Sequence, residues 1–447
     1  MSGGPHRLTT APPRRWRNWG RSVSARPARV ESPASDDEVG DLLARAARDG
    51  LRVRPVGSGH SFTPIAATDG VSVRLDRLTG LRSVDTATRQ VRVGAGTVLR
   101  ELNQALRQHG LGLANMGDID TQTIAGAIST GTHGTGLQHP GLSAQVEGLR
   151  LVLADGSVRN CSSTEHPALF QAARLGLGAV GILTEVTLGC VPAFLLAADE
   201  HPLPLAGVLD HFGDIMGSAD HVEFYWFPST ATALVKSNTR LPLGADRRPL
   251  PRWRALWDDE LMSNGLFGLT CALGAAAPGV VPVVNAAAAA LVSSRSYVDH
   301  APAVFTSPRR VRFREMEYAI DFDSLPSALT EIRTLIDASG WHISFPLEIR
   351  AAAADDVWLS TASGRRSAYI AVHRYHREPF AEYFLAVEQI LLGYGGRPHW
   401  GKLHTLDHHQ LRERYPRFED FRSVRAAVDP AGRFRNAYLD RVLGLPE

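Results

Sequence analysis

The sequence predicts an α+β protein in two parts, and three observations support this fold class. The chain has 447 residues, more than a single hydrophobic core usually serves, so two domains are expected. Up to about residue 191, segments that alternate between apolar and polar residues are interleaved with capped helical segments and glycine-rich loops. Beyond that point alternating strands carry most of the pattern. The domain boundary is therefore placed between residues 191 and 192.

Helices and strands of the first part can be placed individually. Ser35 to Glu38 caps a helix that runs through Ala47, with apolar residues at helical spacing. Val98 to His109 is expected to form a second helix, after the glycines at 94 and 96. Strands are predicted at 51–54, 71–75, 90–93, 146–153 and 182–188.

The second part is expected to be rich in strands. They are predicted at 223–227, 312–320, 343–350 and 368–375, with a helix at 322–339. Glu348 and Arg350 lie two residues apart on one of these strands and therefore share a face. Such residues can form a solvated surface pair. On a strand whose other residues are apolar, they can instead point into a substrate cavity.

Composition excludes several classes of protein. A net charge of +2 gives no electrostatic basis for binding nucleic acid. Cys161, Cys190 and Cys271 are odd in number and far apart, which indicates neither a disulfide framework nor a zinc site and favours the reducing cytoplasm. The arginine-rich N-terminus has no apolar core behind it, so it is not a signal peptide. Residues 1–20 are expected to form a disordered tail.

Residues 261–294 contain no charged side chain, which raises the question of a membrane span. Pro278 and Pro282 divide this segment into halves that are each too short to cross a bilayer. We expect buried helices at a domain interface. A peripheral contact with a membrane stays open as the alternative.

The first part is organised around Arg54-Pro55-Val56-Gly57-Ser58-Gly59-His60-Ser61-Phe62. Two glycines two residues apart let backbone N–H groups converge on one point, which makes a nest for phosphate oxygens. His60 stands inside this loop, although a nest needs no bulky side chain. One interpretation is that the loop holds the pyrophosphate of FAD and that His60 bonds covalently to the flavin ring. The other is a tight turn with a capping histidine.

Other patterns resemble known sites and are set aside. Gly176 to Gly181 fits G-x-G-x-x-G, but it precedes a strand instead of linking a strand to a helix. Gly396 to Lys402 fits the start of a phosphate-binding loop, but position 403 is Leu and offers no hydroxyl to magnesium. His373 and His376 point to opposite sides of a strand. No metal site is predicted.

In combination the motifs resemble those of the vanillyl-alcohol-oxidase-type flavoproteins, and within them the FAD-linked sugar-lactone oxidoreductases. That group includes L-gulono-1,4-lactone and D-arabinono-1,4-lactone oxidases or dehydrogenases, with the alditol oxidases as relatives. The resemblance covers residues 25–445 and rests on Val56 to Ser61, Gly126 to Gly136, Glu348 to Arg350 and Arg397 to Lys402. It implies a two-subdomain FAD-binding domain at 21–191. An antiparallel-sheet cap domain for the substrate follows at 192–447, and its C-terminal tail returns to the flavin.

The resemblance also assigns residues to the cofactor and to the reaction. Contacts with FAD are implied for Val56, Gly57, Ser58, Gly59, His60, Ser61, Gly117, Asp118, Thr123, Gly126, Ala127, Ile128, Ser129, Ile182 and His399. Glu348, Arg350 and Lys402 are implied to line the reaction centre, with His373 nearby. Relatives with two covalent links need a cysteine in the second glycine-rich loop. None lies between Asn115 and Gly136, so a single link through His60 is implied.

The implied reaction oxidises a primary or secondary alcohol of a sugar lactone by hydride transfer to flavin N5. Oxygen or another acceptor, such as cytochrome c, then reoxidises the flavin. Arg350 and Lys402 are candidates to stabilise negative charge on the reduced ring. Glu348 is expected to stay ionised beside Arg350 and to orient or deprotonate the substrate hydroxyl.

Two alternatives stay open, an alditol oxidase that produces hydrogen peroxide and a catalytically silent flavin-binding protein. Tyr375 stands where alditol oxidases resemble one another in having a small hydroxyl residue, which favours a ring-shaped substrate. Gly117 occupies a position that resembles an oxygen gate in the relatives. A glycine there has no Cβ to obstruct oxygen, so measurable oxidase activity is expected. Alternatively, Gly117 serves only the backbone angles of its turn.

Overall fold

A computed structural model describes residues 15–251, 267–291 and 294–445. The strands of the N-terminal region are β1 (Trp16–Arg17), β2 (Ser24–Ala25), β3 (Arg29–Glu31), β4 (Val53–Val56), β5 (Val71–Arg74), β6 (Leu81–Asp85), β7 (Gln90–Gly94), β8 (Leu111–Gly112), β9 (Val146–Val152), β10 (Val158–Ser162), β11 (Ile182–Gly189) and β12 (Val191–Pro192). Its helices are α1 (Asp36–Arg48), α2 (Leu99–Gln108), α3 (Ile124–Thr130) and α4 (Pro167–Arg174).

Within the described residues, β1 pairs with β2 and β8 pairs with β12, and the other strands of this region form two small sheets. The first is parallel in the order β3-β5-β4, and the second is antiparallel in the order β10-β9-β11-β7-β6. Helix α1 begins at the predicted place because the Ser35 hydroxyl accepts the Glu38 N–H at 3.2 Å. Its apolar stripe, which includes Leu42 and Leu43, is buried in the core.

The cap is one large antiparallel sheet. Its strands are β13 (Phe194–Pro204), β14 (His221–Trp226), β15 (Thr232–Pro242), β16 (Arg295–His300), β17 (Phe313–Asp321), β18 (Leu347–Ala352), β19 (Ser367–Tyr375) and β20 (Arg397–Pro398). They lie in the order β16-β13-β15-β14-β18-β19-β17-β20 in the described part of the chain. The helices of this region are α5 (Leu205–Asp210), α6 (Phe212–Met216), α7 (Phe267–Ala276), α8 (Val281–Leu291), α9 (Ala301–Phe305), α10 (Leu325–Ser339) and α11 (Ala381–Gly393).

The C-terminal segment leaves the cap and packs against the N-terminal region. It contains α12 (His408–Arg412), α13 (Phe418–Val428) and α14 (Ala437–Leu443). The Val53 N–H donates to the Arg433 carbonyl at 2.9 Å. The Asn436 amide donates to the carbonyls of Pro64, Ile65 and Ala67. The last tenth of the chain therefore completes the domain that the start of the chain begins.

Arg54 fastens this junction. Its buried guanidinium donates to the carbonyls of Ile65 at 3.1 Å, Gly178 at 2.8 Å, Phe434 at 2.7 Å and Leu177 at 2.8 Å. These carbonyls belong to three distant segments of the chain. Because buried carbonyls need donors, one side chain stabilises the approach of all three segments.

Several predicted boundaries differ from the structure. Residues 15–20 are not part of a disordered tail, because β1 pairs with β2 and Asn18 is buried. The rest of the predicted tail, residues 1–14, lies outside the described residues. The strand predicted at 343–350 begins only at Leu347, since residues 343–346 approach the sheet without joining it. Short apolar runs do not reveal where pairing begins.

The uncharged segment also differs from its prediction. Residues 261–266 and 292–293 lie outside the described residues, and 267–291 form α7 and α8. The two helices and the turn between them are not buried throughout, because Leu273, Val280 and Val283 are exposed. Among the described residues, no helix combines the length and the apolar composition needed to cross a bilayer.

We predict that Arg54→Met destabilises the fold by about 3 kcal/mol, because several buried carbonyls lose their donor. Urea unfolding of variants with the same flavin content measures this loss. Arg52→Met is the matched control, since Arg52 is exposed just before the same strand. We expect the control to change the free energy of unfolding by less than about 0.5 kcal/mol. Equal losses in the two variants would contradict the role of Arg54.

Candidate functional site

Two cavities meet at the loop that carries His60. The first lies against the small sheets of the N-terminal region. The second lies against the cap sheet. His60, Ser61, Gln122 and Thr130 line both cavities, so they form one continuous cleft. A cleft with two compartments suits an elongated ligand with two chemically different halves.

The first cavity is built where two glycine loops approach each other. A Cβ on Gly57 would lie 2.6 Å from Thr123 Oγ1, so only glycine fits there. Gly59 has a φ of +74°, which glycine adopts without strain. Thr123 caps α3 by accepting the Gly126 N–H at 3.2 Å. The result is a cradle of bare backbone, the surface that phosphate oxygens require.

Most residues predicted to contact the cofactor line this cleft. Val56, Gly57, Ser58, Gly59, His60, Ser61, Thr123, Gly126 and Ser129 line the first cavity, and Gly117, Asp118 and His399 line the second. The side chains of Ala127, Ile128 and Ile182 do not reach it, because they are buried in the hydrophobic core. Short helices and strands present only one face to a cleft, and these three residues lie on the opposite face.

The loop at 176–181, set aside in the sequence as a failed Rossmann pattern, also lines the first cavity through Gly178 and Gly181. Both glycines have positive φ, at +62° and +149°. Arg54 holds the Leu177 and Gly178 carbonyls. The sequence pattern was rejected because a nucleotide-binding loop normally links a strand to a helix, and this loop precedes a strand. The density of glycines before β11 was the available signal.

His60 lies at the junction of the two cavities. Its Nε2 is 2.9 Å from Thr121 Oγ1, and its ring stacks on Trp19 with 5.8 Å between centroids. Burial and the nearby Lys402 lower the pKa of His60 below its ordinary value, although Asp118 opposes this shift. The imidazole is therefore neutral at neutral pH and keeps one nitrogen lone pair, as a nucleophile requires.

One face of the cap sheet supplies the charged lining of the second cavity. Glu348 on β18 lies between Tyr225 on β14 and Ala371 on β19. Arg350, two residues further, pairs with Tyr369 and shares this face. Both charged side chains are more than nine-tenths buried and line the cavity. The alternative of a solvated surface pair is therefore wrong.

Strand β17 extends the same face. Glu315 lies opposite His373, and Glu317 follows two residues later. Lys402 forms an ion pair with Glu315, and Glu317 Oε1 lies 3.0 Å from His133 Nε2. Burial opposes the charge of Glu315, but Lys402 and His373 lower its pKa to about 2. Sequence reasoning missed both glutamates, although they alternate with apolar residues on a predicted strand.

Arg350 is the centre of a buried charge network. Its Nε donates to Glu223 Oε2 at 2.9 Å, and its Nη2 pairs with Glu348 and lies 3.6 Å from Asp118 Oδ2. Arg309 forms a second ion pair with Asp118. Burial alone would raise the pKa of Asp118, but Arg309 and Arg350 hold it well below the usual range. Asp118 thus joins its glycine-containing turn in the N-terminal region to β18 of the cap.

Arg350 favours the charged form of Glu348, as expected, but it is not the largest influence on the pKa of this carboxylate. Burial raises the pKa of Glu348, Asp118 and Glu223 add to that shift, and Arg350 offsets only part of it. Tyr225 donates its hydroxyl to Glu348 Oε1 at 2.8 Å. One guanidinium shared by three carboxylates cannot fully compensate each of them. A raised pKa moves Glu348 toward the range in which a carboxylate is an effective proton acceptor.

His133, Glu317 and His399 bring three ligand atoms within 4.8 Å of one another. These atoms have protein partners: His133 contacts Glu317, and His399 Nδ1 accepts the Gly401 N–H at 3.0 Å. Burial lowers the pKa of His399 to about 4, and Lys402 contributes to this shift against the opposing charge of Glu317. The arrangement forms a hydrogen-bonded network beside the Lys402 cation, and we assign it no metal ion.

The residues present fit FAD. The backbone cradle suits the pyrophosphate, and the second compartment offers cations beside a wide cavity. His60 stands between the two compartments, where it can reach a ring that enters the second. A tight turn with a capping histidine does not explain this position, because His60 lines both compartments and caps no helix in the described residues.

Comparisons with known proteins agree with this geometry. A family model described as D-arabinono-1,4-lactone oxidase matches residues 186–442, and an FAD binding domain model matches residues 27–162. The chain is 42% identical over 429 residues to an L-gulono-1,4-lactone dehydrogenase of Mycobacterium tuberculosis, across 96% of this chain and 99% of that protein. It is 33% identical to an L-gulonolactone oxidase of Bos taurus, across 96% and 98% of the two chains.

An alditol oxidase of Streptomyces is 32% identical, across 95% of this chain and 98% of that protein. Among solved structures, cholesterol oxidase from B. sterolicum superposes with a TM-score of 0.82 at 19% identity, across 99% of this chain and 100% of the other. At that identity the likeness concerns the fold alone.

Proposed function

Because the chain belongs to the D-arabinono-1,4-lactone oxidase family and carries an FAD binding domain, we propose that it oxidises an alcohol group of a sugar lactone. The proposed substrate class is the L-gulono-1,4-lactone or D-arabinono-1,4-lactone type. One observation carries this proposal: the cleft joins a glycine-rich cradle to a second cavity lined by Glu348, Arg350 and Lys402.

The side chains of the second cavity have separate roles in the proposed reaction. FAD, when bound, supplies the acceptor for the hydride of the alcohol carbon. Glu348 orients the substrate hydroxyl and accepts its proton, and the raised pKa of Glu348 suits that role. Arg350 is buried and Lys402 is partly exposed, and both cations stabilise negative charge that develops in the cavity. The burial of Glu348 and Arg350 excludes water and strengthens their interactions.

An alditol oxidase is the second candidate, and the Streptomyces relative is the observation that favours it. The argument from Tyr375 does not separate the two. Tyr375 packs with Phe62, Phe313 and Cys271 in a separate hydrophobic cluster and does not line the second cavity. A catalytically silent protein is disfavoured, because buried charges that no reaction uses would lower the stability of the fold through their desolvation cost.

We expect Glu348→Gln, Arg350→Ala and Lys402→Met each to slow anaerobic flavin reduction by lactone at least tenfold, about 1.4 kcal/mol of barrier. Each removes a charge that faces the reacting alcohol. Stopped-flow absorbance of the flavin measures the rate. Arg333→Ala on α10 is the exposed control and should leave the rate unchanged. Near-normal reduction in all three variants would show that this charged face is not the reaction centre.

We also propose that His60 carries FAD covalently, because a neutral imidazole stands at the junction of the cavities. After acid denaturation, flavin fluorescence should migrate with the wild-type protein band and should be absent from His60→Ala. Thr121→Val should slow attachment, since the Thr121 hydroxyl orients Nε2. Wild-type flavin that separates freely from the denatured chain would refute the covalent bond without refuting cofactor binding.

Oxygen is proposed as one electron acceptor, with a protein such as cytochrome c as the alternative. Gly117 lines the second cavity, and a Cβ there would lie 3.1 Å from Thr132 Cγ2 and 3.2 Å from the His133 carbonyl. A methyl group would thus fill the gap at this wall. Gly117→Ala should slow reoxidation by oxygen several-fold while flavin reduction stays normal, as stopped-flow mixing can measure. Equal reoxidation rates would leave Gly117 a turn residue only.

A further inference from the structure

Two buried carboxylates beside Arg350 share the same two partners. Arg350 Nε donates to Glu223 Oε2 at 2.9 Å, and Arg350 Nη2 pairs with Glu348. The Tyr225 hydroxyl lies 3.1 Å from Glu223 Oε1 and 2.8 Å from Glu348 Oε1. That hydroxyl has one proton, so it cannot donate to both carboxylates at once. Glu223 and Glu348 therefore form a coupled pair, and a proton taken up there has two places to bind.

The Lys236 ammonium makes the two carboxylates different. Its Nζ lies 3.6 Å from Glu223 Oε1, and among the described residues it forms no ion pair with Glu348. Lys236 on β15 lies directly opposite Glu223 on β14. An opposite charge favours the ionised form of a carboxylate. Glu223 therefore keeps its negative charge, and Glu348 is the carboxylate that is left to bind a proton.

The pKa values of the two carboxylates are shifted in opposite directions. Burial opposes the charge of Glu223, but Arg350 and Lys236 lower its pKa below the ordinary value. Burial raises the pKa of Glu348, Asp118 and Glu223 add to that shift, and Arg350 offsets only part of it. Further charged or titratable groups that face these three side chains are Asp118, Arg309, Tyr225, Glu200, Arg295 and Tyr297.

A row of alternating charges across the cap sheet holds Lys236 in place. On β13, Glu200 lies opposite Lys236, and on β16 Arg295 lies opposite Glu200. Arg295 donates to Glu200 from Nε at 2.7 Å and from Nη2 at 3.0 Å. Lys236 also donates to the Val304 carbonyl at 3.3 Å. Burial opposes the charge of Lys236, but Glu223 and Glu200 raise its pKa above the ordinary value. Lys236 is therefore a cation at neutral pH.

The residue type at position 236 supports a specific role. The chain has 48 lysines and arginines, of which only Lys236 and Lys402 are lysines. Each of them pairs with a glutamate whose side chain is more than nine-tenths buried, Glu223 and Glu315 respectively. An ammonium is a compact point charge, whereas a guanidinium has five donors in a rigid fork. Lysine thus occurs in this chain only where a small cation pairs with a buried glutamate.

We propose that Lys236 is a positioning residue, which directs the proton of the substrate hydroxyl to Glu348 by keeping Glu223 charged. The proposal rests on the proposed function of the second cavity. In that reaction the O–H bond of the alcohol breaks and its proton binds a Glu348 oxygen, while the hydride of the alcohol carbon goes to FAD. Glu348 lines the cavity and Glu223 does not. A proton on Glu223 would leave Arg350 to Glu348 alone and make Glu348 the weaker base.

Infrared titration of the full-length protein tests which carboxylate binds the proton, and it needs no substrate. A protonated-carboxyl band should persist above the ordinary glutamate pKa of about 4.3. In the wild-type background, Glu348→Gln should remove more of this band than Glu223→Gln. In the Lys236→Met background the order should reverse. Burial raises the pKa of Asp355 to about 6, but its signal is common to all variants and cancels.

The same order in both backgrounds would overturn the proposal, because Lys236 would then not decide where the proton binds. Absence of the band that Glu348→Gln removes would also overturn it, because neither carboxylate of the pair would hold a proton. A wild-type flavin that no lactone reduces would refute the proposed function. The infrared comparison would still decide the role of Lys236.

The pH dependence of anaerobic flavin reduction by lactone is the second measurement. The acidic limb should move to lower pH by about 1 unit in Lys236→Met, since a neutral Glu223 no longer repels the charge on Glu348. Glu223→Gln should reproduce this shift, and the double variant should add nothing to it. Arg247→Met is the matched control, because it removes an ion pair of 2.7 Å with Asp299 on the same sheet. It should not move the limb.

Two results of the kinetic experiment would contradict the proposal. If Lys236 only stabilised the sheet, Lys236→Met would lower the free energy of unfolding and leave the acidic limb in place. If Lys236 acted on Glu348 directly, loss of the cation would move the limb to higher pH, in the Glu223→Gln background as well. Urea unfolding of the same variants measures the change in stability separately.

Discussion

The second cavity depends on one constraint: the positive charge of the buried Arg350 guanidinium must be paired. A cation that is more than nine-tenths buried must be paired, because desolvation without a partner costs several kcal/mol. Its partners come from three places: Asp118 from the N-terminal domain, Glu223 from β14 and Glu348 from the same strand. The network is complete only when the cap has docked on the N-terminal domain. The two compartments of the cleft therefore form together.

Backbone contacts hold the docking in register. The Gly136 N–H donates to the Ala351 carbonyl at 2.8 Å, and the Ala351 N–H donates to Thr135 Oγ1 at 3.2 Å. The end of the second glycine-rich loop is thus attached directly to β18, next to Arg350. Arg240 from β15 reinforces this contact by bonding to the Ala114 carbonyl. A shift of one residue would turn every charged side chain of β18 to the other face of the sheet.

The C-terminal segment places the remaining cation. The Phe62 N–H donates to the Gly401 carbonyl at 2.7 Å, and Thr63 Oγ1 donates to the Trp400 carbonyl at 3.1 Å. The loop after β20 therefore lies against the His60 loop and delivers Lys402 to Glu315. His60 and Lys402 are far apart in sequence, yet the charge of one lowers the pKa of the other. The pKa of His60 therefore depends on residues from the first and the last parts of the chain.

The sequence by itself determined the local features. Alternation on β18 placed Glu348 and Arg350 on one face, and capping residues set the start of α1. The glycines around His60 indicated the cradle. Each of these signals depends only on neighbours within a few residues. Only the tertiary structure decided which distant groups meet. Asp118 and Glu223 pair with Arg350, and Glu315 pairs with Lys402. The glycine loop at 176–181 reaches the cleft because β11 pairs with its neighbours and Arg54 donates hydrogen bonds to the loop. From the sequence, the adjacent arginine was expected to favour the charged form of Glu348. The pKa of Glu348 is raised instead, because burial and two further carboxylates outweigh that arginine. Burial and long-range charge depend on the packing of whole domains, and no short stretch of sequence encodes that.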